Sequence, residues 1–307
     1  MLSRRSVRIK VIQHLYMIDR DKDLSKKECI ESYKRAIDQV FALYLYNLYV
    51  LLRVAEMSLQ DKKKRTEKYI KKEEDTGFRA RLYENPLIQS LATNDYFQKE
   101  IGKNGFKDKV NEDIIKRIYK SFARSPIYKD YVYKEGKITD LDALLELYRY
   151  CRKDEYFGEM MEDFAYHWLD DKSLIIGAVK KAIKSLPTHG KDLRNQYPDA
   201  DKINDFGLNL LTKSLDRQEA IGEIIQPVVE NWDMDRLALI DLIILKMGTL
   251  EFLDFPSIHT NVTIVEYVEL AKLYSTERSK KFINGVLDKV LSVLDEEGKI
   301  KKVEVRR

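Results

Sequence analysis

The sequence predicts an all-α fold, and two observations lead to this prediction. The 307 residues include only 12 Gly and 6 Pro, too few for a turn-rich β-sandwich, while 44% of them are hydrophobic, enough for a packed core. Apolar residues also recur at helical spacing along most of the chain, and no alternating strand pattern of useful length is present. A chain of this length is typical of about two domains, or of one domain with a large insertion.

The first predicted helix covers residues 4–18, with Ser3 as its N-cap. Its apolar residues fill a wide arc, so we expect the helix to be mostly buried with its first turns protruding. Arg4, Arg5 and Arg8 share one arc of these turns, and their guanidinium groups suit contacts with phosphates. The charge distribution supports this expectation: the first 18 residues carry four basic and no acidic side chains, whereas the other 289 carry 51 of each.

The remaining elements follow from helical periodicity and its interruptions. Residues 60–108 are charged and irregular, which predicts a linker, and the Pro- and Gly-containing stretch 187–201 predicts a second boundary. Thr263 and Glu266 have the spacing of a capping box, and Gly298 ends the last helix. The predicted helical segments are 26–58, 109–124, 140–186, 203–215, 217–231, 233–253 (capped by Asp233), one that begins at about 263 and a last one that starts at Ser279.

The sequence favours neither a secreted nor a membrane protein. No clean hydrophobic segment follows the basic N-terminus, and the longest apolar stretches, 37–55 and 237–253, are interrupted by charged residues. The two cysteines, Cys29 and Cys151, are too few for a disulfide framework and suit a reducing compartment. We therefore expect a soluble, cytoplasmic protein that does not bind membranes.

The motifs of the common enzyme classes are missing from the sequence. Neither a P-loop nor a G-x-G-x-x-G pattern occurs, and the four histidines have no second ligand at the spacing of a zinc site. No signature of a Ser or Cys nucleophile is visible, and the many carboxylate pairs are typical of solvated surfaces. We expect a protein without catalytic residues, cofactor or metal.

Two stretches near the C-terminus resemble the signature of the NusB family of transcription antitermination factors. They are Val265–Lys272, with the sequence VEYVELAK, and Phe282–Lys289, with the sequence FINGVLDK. Asn231–Leu237 is similar to the segment that precedes this signature. At the other end, Arg4–Arg8 followed by Tyr16 resembles the arginine-rich opening helix of the family. The resemblance covers about residues 1–18 and 202–298.

The resemblance implies a NusB-like helical bundle made of two packed subdomains of three-helix type. Its first helix, 1–18, is then separated from the rest, 202–298, by a mostly helical insertion over 19–201, and 299–307 forms a basic tail. Such an insertion is tolerable because the entropic cost of closing a loop grows only logarithmically with its length.

The resemblance also implies a function. NusB proteins are not enzymes; they bind boxA-type single-stranded RNA together with the ribosomal protein NusE, within the RNA polymerase antitermination complex that includes NusA and NusG. The implied RNA-binding residues are Arg4, Arg5, Arg8, Lys10, Tyr16, Asp241 and Lys246. The implied NusE-binding residues are Tyr274, Glu277, Arg278, Ser279 and Lys281.

Two questions remain open at this point. A protein-interaction module of transcription or ribosome assembly, without sequence-specific RNA binding, would explain the same sequence features. The sequence also leaves open whether the protein forms a homodimer.

Overall fold

The computed structural model describes residues 2–229 and 237–302, without the side chain of Glu277, and the described residues contain helices and no strand. The all-α prediction is confirmed. The α-helices are α1 (Arg4–Arg20), α2 (Lys26–Thr66), α3 (Glu73–Thr76), α4 (Arg81–Glu84), α5 (Pro86–Ala92), α6 (Asp95–Lys103), α7 (Phe106–Lys109), α8 (Glu112–Ala123), α9 (Pro126–Tyr133), α10 (Asp140–Lys153), α11 (Glu155–Phe164), α12 (Trp168–Lys184), α13 (Asn209–Asp216), α14 (Gln218–Ile225), α15 (Leu239–Asp254), α16 (Thr260–Tyr274) and α17 (Glu277–Glu296). A π-helix, Asp201–Leu208, precedes α13, and 3₁₀-helices cover Asp192–Gln196 and Gln226–Val229.

The helices group into two compact units. The insert unit is Asp38–Tyr197, and the split unit is Leu2–Ile37 together with Pro198–Arg307. The sequence places the start of the insertion at residue 19, whereas residues 19–37 group with the split unit because the start of α2 packs there. At the other side, the division after Tyr197 lies close to the boundary expected at 201.

The insert unit has its core along α2 and α10. Helix α10 contacts α5, α8, α9, α11 and α12. Inside this core the Nδ2 group of Asn47 donates to the carbonyl of Leu43 at 2.9 Å, and the hydroxyl of Tyr148 donates to Oδ1 of Asn47 at 3.1 Å. The ring of Tyr46 stacks on Phe164 at 4.3 Å between centroids. The buried amide of Asn47 is thus satisfied within the unit, and aromatic rings pack nearby.

Helix α2, in which the sequence predicts no membrane span, is long and strongly apolar. By length and composition it is the one helix among the described residues that could cross a membrane, with an 18-residue window of mean hydropathy 1.4. Because 89% of that window is buried inside the structure, its apolar residues have protein partners, as in the core helix of a globular fold.

The prediction of a linker over 60–108 is wrong. Helices α3 to α7 occupy much of this stretch, and asparagines cap two of them: Asn85 accepts from the backbone of Leu87, and Asn94 accepts from that of Phe97. These helices have four to nine residues, too few to show a clear helical period in the sequence. Buried apolar residues nevertheless tie the stretch to the core: Phe78, Leu82, Ile88, Leu91, Phe97, Ile101 and Phe106.

The split unit is built around α15. This helix is apolar on all sides and contacts α1, α13, α14, α16 and α17. The predicted cap at Asp233 lies outside the described residues. The capping box expected at Thr263 is wrong, because His259 caps α16 instead. Helix α17, capped by Thr276, begins at Glu277, two residues before the expected start at Ser279. Gly298 ends α17 as expected, with a φ of 65° that favours glycine.

A close approach inside the split unit requires a glycine. A Cβ atom at Gly207, in the π-helix, would lie 2.0 Å from the hydroxyl oxygen of Tyr33 and 2.4 Å from Cγ1 of Val7. Both of these side chains are fully buried, so neither has free space to move into. The absence of a side chain at residue 207 therefore lets the π-helix pack against α1 and the first turns of α2.

We predict that Gly207→Ala lowers the free energy of unfolding by about 1–3 kcal/mol, because the added methyl group overpacks a closed site. Urea denaturation followed by circular dichroism measures this. The matched control is Gly222→Ala in α14, where nothing lies within 4 Å of the new Cβ; this variant should gain up to about 1 kcal/mol from helix propensity. Equal stability of the two variants would contradict the close approach.

Candidate nucleic-acid interface

The first turn of α1 carries cations where a helix favours anions. Ser3 caps the helix as predicted, since its hydroxyl accepts from the backbone N–H of Ser6 at 3.1 Å. Arg4 and Arg5 follow, and the first turn contains no acidic residue. The positive end of the helix dipole disfavours these guanidinium groups unless anions are close by. An arginine that is already paired with a buried carboxylate cannot bind an external anion, so the partners of these arginines determine what the first turns can bind.

Arg8 finds its counter-charge inside the split unit. Its side chain is 2% exposed, and it donates from Nε and Nη2 to the two carboxylate oxygens of Glu251, at 2.9 and 2.7 Å. The guanidinium carbon lies 5.0 Å from the ring centroid of Phe206 and 5.6 Å from that of Tyr267. A phosphate cannot reach this side chain in the folded protein. The prediction that Arg8 contacts RNA is therefore not supported by its position.

Glu251 is the central acceptor of this buried cluster. Besides Arg8, its carboxylate accepts from the hydroxyls of Thr263, at 2.8 Å, and Tyr267, at 3.1 Å. Burial alone would lower the pKa of the Arg8 guanidinium, but the hydrogen bond and the charge of Glu251 raise it. Burial, followed by the charge of Glu251, raises the pKa of Tyr267 well above its usual range. The carboxylate of Glu251 is thus fully satisfied, and a second ion pair, between Nη1 of Arg8 and Glu266 at 3.5 Å, links the cluster to the surface.

Arg5 and Arg4 lie nearer to the surface. Arg5 donates from Nε and Nη2 to the two oxygens of Glu266, both at 2.8 Å, and its side chain remains 42% exposed. This hydrogen bond from Arg5 lowers the pKa of Glu266. Arg4 is exposed, with its guanidinium carbon 6.0 Å from the ring centroid of Phe206. These two arginines are accessible to an anion.

The remaining predicted residues of α1 divide between core and surface. Lys10 is 0% exposed, which contradicts its predicted contact with RNA. Tyr16 is 39% exposed, and the guanidinium carbon of Arg20 lies 5.4 Å from its ring centroid. The sequence prediction missed Arg20, which lies one turn after Tyr16 on the same face of α1. Tyr16 and Arg20 therefore present an aromatic ring and a cation together.

Asp241 and Lys246 do not form an exposed pair on α15. Asp241 is 5% exposed, which argues against its predicted contact with RNA, and its Oδ1 atom has no hydrogen-bond partner among the described residues. Lys246 is half-buried in a small pocket that Leu15 and Asp19 also line. Burial lowers the pKa of Lys246, while the charge of Asp19 partly offsets this. Only Lys246 is thus accessible from outside.

The predicted NusE-binding residues cluster where α16 ends and α17 begins. Arg278 and Lys281 are exposed, and Tyr274 is half-buried. Ser279 is only 8% exposed, and its backbone N–H donates to the hydroxyl of Thr276, so its role is in the helix cap rather than in a partner contact. The side chain of Glu277 lies outside the described residues.

One residue of the predicted basic tail is bound to the fold. The ammonium group of Lys302 donates to the backbone carbonyls of Glu251 and Phe255, both at 3.0 Å. These carbonyls lie at the C-terminal end of α15, where the helix dipole favours a cation. Residues 303–307 lie outside the described residues. Across the described chain, no group of three or more His, Cys, Asp or Glu side chains is arranged to hold a metal ion.

Comparison with known proteins identifies the family. Residues 165–292 match the model of the NusB family. A protein from Salinibacter ruber named transcription antitermination protein NusB is 40% identical over 98 residues, 32% of this chain and 61% of that protein. A protein of the same name from Methylacidiphilum infernorum is 49% identical over 81 residues, 26% of this chain and 57% of that protein. Another, from Geobacter sulfurreducens, is 39% identical over 106 residues, 34% of this chain and 77% of that protein. No solved structure matches the chain significantly.

The split unit is an all-helical domain with an arginine-rich opening helix. The chain belongs to the NusB family, which confirms the resemblance of Val265–Lys272 and Phe282–Lys289 to its signature. The family match begins at residue 165, inside the segment predicted as the insertion, and it does not include 1–18. The aligned segment spans less than two thirds of the Salinibacter and Methylacidiphilum relatives.

The sequence contained a signal for the burial of Arg8. On a helical wheel of α1, Arg8 falls between Leu15 and Ile12, both buried, and so within the apolar arc. Glu251 interrupts an almost continuous apolar run in α15, which is typical of a buried acid that needs a counter-ion. Each position therefore indicates a buried charge, but the sequence does not show that the two residues are partners.

We predict that Arg8→Ala lowers the free energy of unfolding by about 3–5 kcal/mol, because it leaves Glu251 buried without its cation. Chemical denaturation measures this. Arg20→Ala, on the exposed face of the same helix, is the control and should change stability by less than about 0.5 kcal/mol. If Arg8→Ala were as stable as the parent protein but bound RNA more weakly, Arg8 would be an RNA contact after all.

Proposed function

We propose that this protein is a transcription antitermination factor, without catalytic activity, that binds boxA-type RNA together with the ribosomal protein NusE in the cytoplasm. The observation that carries the proposal is the match of residues 165–292 to the NusB family model, together with the relatives named transcription antitermination protein NusB. Binding to RNA polymerase with NusA and NusG belongs to the same proposal. NusE would contact Arg278 and Lys281, near Tyr274.

The proposed RNA surface is one side of α1 rather than its whole basic start. It consists of Arg5, Tyr16 and the added Arg20, and the exposed Arg4 and the half-buried Lys246 belong to the same proposal. The other predicted residues, Arg8, Lys10 and Asp241, are left out because they are buried. Arg5, Tyr16 and Arg20 fall on one face of a helix and extend over roughly 22 Å. Single-stranded RNA is bound by cations along its phosphates and by aromatic rings that stack on unpaired bases, and this face offers both.

The ion pair with Glu266 is compatible with phosphate binding by Arg5. A guanidinium group has five N–H donors, of which Glu266 takes two, so roughly three remain for another acceptor. The pair also fixes the side chain in place, which reduces the entropy that RNA binding would cost. Glu266 therefore positions Arg5, while its negative charge weakens the attraction of Arg5 for a phosphate.

The alternative is a protein-interaction module without sequence-specific RNA binding. The neutralised charge of Arg8 and the burial of Lys10 favour it, because they remove two of the four cations counted at the start of the chain. Exposed apolar residues on α16, Val265 and Leu273, are also accessible to a protein partner. Measured binding to RNA distinguishes the two functions.

We predict that the protein binds boxA RNA more tightly with NusE than without it. Arg4→Ala/Arg5→Ala should weaken binding and reduce the slope of log affinity against log salt by about 1.4, because two phosphate contacts are lost. Fluorescence titration over a range of salt concentrations measures both effects. The control Lys27→Ala/Lys289→Ala removes the same charge from exposed positions elsewhere in the split unit. Parent-like binding by the arginine variant would favour the interaction module.

We also predict that Glu266→Gln tightens RNA binding and steepens its salt dependence, because Arg5 then keeps its full charge for the phosphate. Glu269→Gln removes one negative charge from the same helix but leaves the hydrogen bonds of Arg5 in place. The same titration compares the two variants, and equal effects would contradict a specific role for the Arg5–Glu266 pair.

A further inference from the structure

The insert unit carries a denser basic segment than α1. Residues 62–72, with the sequence KKKRTEKYIKK, contain seven cations and one acid, Glu67, which gives a net charge of +6. The formal charge of the whole chain is only +4. The segment comprises the last turn of α2 and the connection to α3, where Glu73, Glu74 and Asp75 follow. We call residues 62–72 the basic segment.

Local ion pairs neutralise only part of this charge. Arg65 and Lys68 both contact the carboxylate of Asp75, at 3.3 and 2.8 Å, and Arg65 also contacts Asp61. Lys62 pairs with Glu84 at 3.1 Å. Lys64, Lys71 and Lys72 are exposed and have no ion pair among the described residues, so these three ammonium groups are available to an external anion.

Two apolar side chains lie in solvent between these lysines. Tyr69 is 102% exposed and Ile70 is 81% exposed. They are the most exposed large apolar side chains among the described residues. An exposed aromatic ring flanked by lysines is the combination that lets a protein stack an unpaired base while cations hold the adjacent phosphates.

A cavity of about 500 Å³ adjoins the basic segment and shares Arg65 with it. Inside the cavity the guanidinium carbon of Arg65 lies 4.5 Å from the ring centroid of Phe78, and the ring of Tyr133 lies 6.4 Å from that of Phe78. Other lining residues add positive charge, offset in part by Glu74 and by Asp130, which pairs with Lys134. The cationic ones are Arg124, Lys129 and Lys134.

We propose that the basic segment and this cavity form a single-stranded RNA-binding site on the insert unit, separate from the residues of α1. Lys64, Lys71 and Lys72 bind phosphates, Tyr69 stacks on a base, and the aromatic cavity accepts a second base. Because the contacts are to phosphates and to base faces, the site binds RNA with little dependence on sequence. This inference goes beyond the proposed function, which needs only the split unit.

The chemistry of the cavity favours RNA over the other anionic partners. A membrane surface would contact Ile70 and the lysines, but its headgroups and acyl chains contain no planar base that could stack in a cavity lined by aromatic rings and a guanidinium group. An acidic peptide would pair with the lysines, but it offers no planar ring for Tyr69. Of these three partners, single-stranded RNA is the one that uses the cations, the exposed ring and the cavity together.

The test uses the full chain and a 20-nucleotide oligouridylate, which contains no boxA element. Lys64→Gln/Lys71→Gln/Lys72→Gln should weaken binding and reduce the slope of log affinity against log salt by about 2, since each phosphate contact on a single strand contributes about 0.7. Lys180→Gln/Lys184→Gln/Lys191→Gln is the matched control, because it removes the same charge from exposed positions of the same unit. Equal losses in the two triple variants would overturn the proposal.

Substitutions of Tyr69 test the stacking contact separately, because they can change RNA affinity without changing the net charge. Tyr69→Ala should weaken oligouridylate binding at least about fivefold, whereas Tyr69→Phe keeps the ring and should bind like the parent. Because the side chain is fully in solvent, the folded state should be unaffected, which circular dichroism checks. Parent-like binding by Tyr69→Ala would overturn the stacking contact.

Two further measurements complete the test. If the triple variant lost binding to vesicles of phosphatidylserine and phosphatidylcholine but kept its affinity for oligouridylate, the segment would be a membrane contact and the proposal would be overturned. If the parent protein did not prefer boxA RNA, or did not bind it more tightly with NusE, only the proposed function would be contradicted. A lysine-dependent affinity for oligouridylate would still support the site on the insert unit.

Discussion

The split unit depends on the buried ion pair between Arg8 and Glu251. These residues lie 243 positions apart in sequence, and the pair joins the first helix to the central helix α15. Removing two charges from water is costly, and the cost is recovered only because the geometry is bidentate and because Thr263 and Tyr267 satisfy the carboxylate further. The bidentate geometry ties Arg8 to the one turn of α15 that carries Glu251.

The same pair explains why the insert unit is tolerated between two parts of one domain. Residues 38–197 separate the start of α2 from the π-helix, yet the contacts of α1 with α13, α15 and the π-helix lie entirely in the split unit. Closing a longer loop costs little additional entropy, whereas a specific buried contact selects one arrangement of the joined elements. Gly207 contributes to this arrangement because its missing side chain leaves room for Tyr33 and Val7.

The sequence predicted the long helices well, but it did not reveal the short helices or which charged side chains are buried in ion pairs. Helices α15 to α17 were predictable because their apolar residues extend over four turns or more, and the motifs in α16 and α17 also identified the family. The short helices between Glu73 and Lys109 were not, because one or two turns carry no measurable period. Arg8 was assigned to RNA because counting cations ignores their partners: Glu251 lies too far away in sequence for any local pattern to connect the two. Thr263 resembled a cap because of its spacing from Glu266, whereas its hydroxyl donates to Glu251.

The position of Glu251 has a consequence for synthesis on the ribosome. Arg8 emerges from the ribosome long before the residue that neutralises it, and at about 5–20 residues per second the delay is roughly 12–50 s. Once residue 197 has emerged, the insert unit, which is contiguous in sequence, has all of its residues, while α1 still lacks its partners on α13 and α15. Nascent chains would therefore carry a folded middle and an unprotected leading helix, which makes that helix a natural target for chaperones that recognise basic and apolar segments.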